Sequence, residues 1–156
     1  MQHLKELVGA VVGCELAGVI GSIFTAPAIP NWYAALAKPA FTPPSWVFAP
    51  AWTLLYALMG ASLWMVWRAK ARRNEKRLAY AAFALQLGLN VAWSIAFFGL
   101  RSPSAGFTVI ILLWLSIGAT ISLFSRFSQK AAWLLVPYWV WTTFAAALNY
   151  AVWQLN

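Results

Sequence analysis

Apolar positions along this chain gather into long runs, separated by short polar or proline-rich breaks. A helix needs about 20 predominantly apolar residues to cross a bilayer. Five runs fit, at about 7–24, 46–67, 78–100, 105–124 and 131–153. The pattern predicts an all-α membrane protein: a single five-transmembrane-helix domain over residues 1–156, with a short helical lid in its first loop. The first run is too long for a signal-peptide core and contains Glu15, so it is read as a retained helix.

The 27–45 break is the one long connection. Pro30-Asn31 can open a short helix with Asn31 as N-cap. Trp32, Tyr33 and Leu36 would share its apolar side, Pro39 would stop it, and Pro43-Pro44 forces an extended approach to the second span. Two readings stand: a lid over the mouth of a bundle, or an interfacial helix lying among headgroups.

Composition removes the alternatives. The chain is 63% hydrophobic and 9% charged, where a soluble domain carries about 25% charged residues. The net charge of +8 does not indicate nucleic acid, because six of the eleven Lys/Arg lie between Arg68 and Arg77, in a loop placed to meet anionic lipid. The N-terminal side of the spans holds nine Lys/Arg and the opposite side only Lys38 and Arg101. That asymmetry predicts an inside N-terminus, with the first loop and the C-terminus outside.

Small residues recur every fourth position on two spans: Gly9, Gly13, Ala17 and Gly21 on the first, Ala84, Gly88, Ala92 and Ala96 on the third. Such rows let helix backbones approach closely in lipid. They either pack helices within one subunit or form the seam of a homodimer. Glu15 lies mid-span, away from the glycine row and on one side with Ser22. An ionisable group at that depth marks a functional site by default; the plainer reading is a neutral acid hydrogen-bonded within the bundle.

Much chemistry is missing. His3 is the single histidine, Cys14 the single cysteine, and there is no Asp. No metal cluster, histidine-ligated haem or Ser-His-Asp set can be assembled from these residues. What remains is aromatic: eleven Trp, ten Phe and five Tyr, more than interfacial belts use. Trp52 and Tyr56 lie one turn apart on the second span, Asn90 and Trp93 three residues apart on the third, and Trp141, Ala145 and Leu148 at helical spacing on the fifth. Flat faces with one or two amides suit a planar apolar ligand with a polar edge. The alternative is that the rings only pack the core or anchor at interfaces.

The order and spacing of Trp32-Tyr33, Leu36, Lys38-Pro39, Phe41, Pro43-Pro44, Trp46-Val47, Trp52, Leu55-Tyr56, Met59-Gly60, Gln86, Asn90, Trp93, Phe97-Phe98-Gly99, Pro137-Tyr138, Trp141 and Leu148-Asn149-Tyr150 resemble the TspO/MBR family of tryptophan-rich sensory and translocator proteins. The resemblance implies a five-helix bundle, usually a homodimer, with a pocket beneath the first loop. It implies porphyrins such as protoporphyrin IX, haem, sterols and benzodiazepine-type drugs as ligands, with no cofactor required. Carried over by position, Trp52 and Asn90 are the polar ligand contacts, and Tyr33, Trp46, Trp93, Trp141, Ala145 and Leu148 line the pocket. Some family members are associated with light- and oxygen-dependent porphyrin breakdown, in which the tryptophans matching Trp52 and Trp141 are implicated. Two departures stand out. Phe41 replaces a usual Trp, and no Lys or Arg follows Tyr150, so the C-terminal sterol motif lacks its basic residue. The resemblance leaves three function classes: a porphyrin-binding receptor or transporter, a porphyrin-degrading enzyme, and a regulatory dimer with an incidental pocket.

Overall fold

Each apolar run becomes a helix that extends past its run into more polar sequence. The computed structural model describes residues 2–156. Its long helices are α1 (Gln2–Thr25), α2 (Phe48–Arg68), α3 (Arg73–Ser94), α4 (Pro103–Ser125) and α5 (Gln129–Leu155). All five are long and apolar enough to cross a membrane. The helix ends explain the extra length. Ser102 and Ser128 accept backbone N–H groups at the starts of α4 and α5, from Ala105 and Ala131, each at 3.2 Å. The Glu75 carboxylate accepts the Arg72 N–H at 3.1 Å, so α3 starts five residues before its apolar run. Lys76 is buried, and its Nζ donates to the Trp67 and Ala69 carbonyls at 2.9 and 2.6 Å. A lysine in the first turn of α3 thus satisfies carbonyls left open at the end of α2.

The helices close a ring in the order α1, α2, α5, α4, α3 and back to α1. Large apolar side chains point outward around it, Leu4, Val8, Val12 and Leu16 on α1 and Leu112 and Leu115 on α4 among them. That is the arrangement expected of helices solvated by lipid. The half of the ring nearest the basic 68–77 segment is filled: Phe83 stacks on Phe124 at 5.6 Å, and Val66, Ala132 and Leu135 are buried around them. A Cβ on Gly60 would overlap the Val11 backbone, so this glycine lets α1 and α2 touch main chain to main chain.

The two small-residue rows do not behave as units. Gly9, Gly13, Ala84 and Gly88 face outward, and an added Cβ on any of the three glycines would meet nothing within 4 Å. Ala17, Gly21 and Ala96 are buried inside the subunit, and Ala92 is half-buried. A Cβ on Gly21 would come within 3.0 Å of Ser94 Oγ, where α1 meets α3. Those inner positions are occupied by packing within the subunit and are removed from any seam between copies.

Candidate functional site

The other half of the ring, under the 27–45 loop, is not filled. It encloses a cavity of about 420 Å³, within the range of small-molecule sites. Eight of the nine residues singled out from the sequence line it: Tyr33, Trp52, Tyr56, Asn90, Trp93, Trp141, Ala145 and Leu148. Trp46 does not. Pro44 holds an extended conformation (φ −55°, ψ 141°) and Ser45–Val47 forms one tight 3₁₀ turn before α2. At three residues per turn, Ser45 and Phe48 face the cavity, while Trp46 points away and is 73% exposed.

The loop covers the cavity, but it winds differently from the expected short α-helix. Residues Ile29–Tyr33 form a π-helical turn closed by the Tyr33 N–H on the Ala28 carbonyl at 2.9 Å. Ala28, not Asn31, is its cap, because Pro30 occupies the first turn where no N–H is needed. A second π-helical turn, Ile95–Gly99, ends α3. Its wider winding puts both Phe97 and Phe98 on the cavity wall, with ring centroids 4.8 Å apart. Trp32 packs on Phe97 at 5.4 Å and Tyr33 on Phe98 at 5.7 Å. The lid is therefore held by aromatic contacts between two irregular turns. It is also tied to the end of α5: Asn156 accepts the Ala37 N–H and donates to the Ala37 carbonyl, both at 3.0 Å. Burial raises the Tyr33 phenol above its ordinary pKa, so it faces the cavity as a neutral hydroxyl.

The polar groups in the wall differ in how free they are. Asn90 accepts from the Tyr56 hydroxyl at 2.5 Å and donates to the Tyr138 hydroxyl at 3.0 Å, and it is buried. Its amide ties α2, α3 and α5 together and keeps one N–H and one lone pair in reserve. Trp93 donates to Asn149 Oδ1 at 3.0 Å, and Asn149 donates to the Pro103 carbonyl at 2.7 Å, joining α3, α5 and α4. Trp52 sits among these rings, 5.7 Å from Tyr56, 6.1 Å from Tyr138 and 6.4 Å from Trp93. Among the described residues its indole N–H has no protein acceptor, although Trp52 lines the cavity. The Trp141 N–H across the cavity is buried without a partner. Two indole donors and an apolar, largely aromatic wall can hold a flat molecule and address an acceptor on its edge.

The model of the TspO/MBR family matches residues 10–154. The chain belongs to that family. It is 46% identical to the tryptophan-rich protein TspO of Archaeoglobus fulgidus over 154 residues, 99% of each chain. It is 36% identical to the human translocator protein over 149 residues, 95% of this chain and 88% of that one. The tryptophan-rich sensory protein of Cereibacter sphaeroides is 38% identical over 126 residues, 81% and 77% of the two chains.

In this TspO/MBR bundle, sequence reasoning overlooked several wall residues. Phe97 and Phe98 entered only as part of a motif, and the π-helical turn that aims both inward left no periodic trace. Glu15, an ionisable group with no assigned place in the site by sequence, joins its wall with Gly18 and Ser22 of α1. Among the described residues it makes neither a hydrogen bond nor an ion pair, unlike the acid hydrogen-bonded within the bundle that the plainer reading expects.

Proposed function

We propose that this protein is a membrane receptor or transport-type protein that binds porphyrins, such as protoporphyrin IX and haem, and similar planar apolar ligands. The carrying observation is the lidded cavity of about 420 Å³ with Trp52 and Trp141 indole donors lacking protein acceptors. Relatives named for tryptophan-rich sensing and translocation support the same reading. The N-terminus is inside and the lid faces outward, as the Lys/Arg asymmetry of the loops requires. Two copies pair through the outward-facing Gly9, Gly13, Ala84 and Gly88, all exposed in the subunit. A sterol is a weaker partner, since no basic residue follows Tyr150.

The test is protoporphyrin titration followed by tryptophan quenching, in the dark and under light, with protein in lipid nanodiscs. Saturable quenching with an unchanged Soret band on illumination is the expected result. A second reading has one observation in its favour. Trp52, Trp93, Tyr56 and Tyr138 form a continuous group of oxidisable rings, 5.7–6.4 Å from Trp52, beside the space where a photosensitising ligand would lie. Protein-dependent conversion to a defined product in the light, lost in a Trp52→Phe, Trp141→Phe variant that still binds, would establish that enzyme-like role.

A further inference from the structure

We propose that Glu15 determines the class of ligand the cavity accepts: a flat aromatic molecule bearing a cationic or N–H nitrogen at the end that enters first. This rests on the reading of the cavity as a ligand site. Glu15 is the most deeply placed of the α1 residues in the wall, roughly 15 Å below Thr25 at a rise of about 1.5 Å per residue. An acid at mid-bilayer is costly unless something partners it.

Among the described residues none forms a hydrogen bond or an ion pair with Glu15. On the cavity wall Ser22 Oγ donates to the Val19 carbonyl at 2.7 Å, Thr25 Oγ1 to the Gly21 carbonyl at 3.2 Å and the Tyr56 hydroxyl to Asn90, and among the described residues the hydroxyls of Ser45, Thr53 and Ser94 make no bond to Glu15 either. Among the described residues no Lys, Arg or His lines the cavity. The cation of the lid, Lys38, donates to the Ala34 and Leu36 carbonyls at 3.2 and 3.0 Å and lies over the Tyr33 ring. The partner Glu15 lacks can therefore come with the ligand. The same inventory disfavours an anionic group at depth, since a ligand carboxylate would meet an acid and no base. A ligand carrying carboxylates would have to leave them at the mouth, on the Lys38 side.

Three tricyclic probes of nearly one shape separate these cases: proflavine (cationic), anthracene (neutral) and anthracene carboxylate (anionic). Affinities are taken from tryptophan quenching in nanodiscs, corrected for partition into protein-free nanodiscs. The expected order is proflavine over anthracene by about tenfold, the scale of one charge-assisted hydrogen bond, with the carboxylate weakest. Glu15→Gln should keep anthracene affinity and lose the proflavine advantage. The wild-type order alone tests the idea should that variant not fold: a carboxylate bound as tightly as proflavine overturns it. A Glu15→Gln protein with an unchanged proflavine-to-anthracene ratio overturns the assignment to Glu15 and leaves the cavity intact as a site. If wild-type protein binds none of the three, the ligand-site reading falls together with the inference.

Discussion

Asn90 and Trp52 carry different loads, although sequence position alone makes them look alike. Asn90 is buried and holds two tyrosine hydroxyls from two other helices. Asn90→Ala leaves both hydroxyls without their partner, at about 1–3 kcal/mol for each group stranded. It should therefore lower the thermal unfolding temperature as well as ligand affinity. Trp52 lines the cavity and its N–H has no acceptor among the described residues, so Trp52→Phe should weaken porphyrin binding several-fold, the worth of one hydrogen bond at about 0.5–1.5 kcal/mol, and leave unfolding nearly unchanged. Equal thermal stability of the two variants would contradict this division. Gly60 gives the sharpest test of packing. Its missing Cβ is where the Val11 backbone passes, and backbone cannot swing aside as a side chain can. Gly60→Ala should cost about 1–3 kcal/mol by overpacking, read as a lower unfolding temperature in detergent.

At the scale of the elements, helix positions were readable and helix faces were not. Five spans follow from length and apolarity; four centres agree closely with their helices, while α3 starts and ends earlier than its apolar run because the run's end winds as the Ile95–Gly99 turn. In lipid, however, outward and inward faces are both apolar, so periodicity does not say which side of α1 or α5 is buried. Gly9 and Gly21 belong to one row by spacing, yet one faces outward and the other packs on Ser94. The turns that shape the site were equally hidden. The π-helical turns at Ile29–Tyr33 and Ile95–Gly99 depend on aromatic packing between distant segments, and the clasp of Asn156 on Ala37 spans 119 positions. Gly88 provides the test of the dimer. Gly88→Leu would put a branched side chain on an open face of α3, away from Asn90 and Trp93, and should convert dimers to monomers by light scattering while porphyrin affinity holds. A variant that remains dimeric moves the seam elsewhere.

For the whole molecule, one end of the ring is a packed plug and the other is a lidded chamber. The division follows from where bulky aliphatic and aromatic residues meet: Phe83 and Phe124 close the end near the basic loop, while the tryptophans and Phe97 hold the other end open around a void. The site was legible because its motif residues stand on three helices at fixed spacing. Its selectivity was not, because the free or spent state of each donor depends on contacts between helices. Orientation rests on charge. Single cysteines introduced at Lys38 and Asn74 should be labelled by an impermeant reagent in intact cells at the first position only, and the reverse pattern would invert the topology. Ligands are expected to occupy the chamber under the lid. Ala145 lies on its wall and is nearly buried, so Ala145→Phe fills the chamber from within α5. The decisive measurement is the protoporphyrin affinity of that variant beside wild type, with molar mass and unfolding temperature taken on the same samples. Binding lost from a folded dimer is the predicted result. A folded Ala145→Phe protein that binds porphyrin as wild type does would place the ligand outside the chamber and contradict the account.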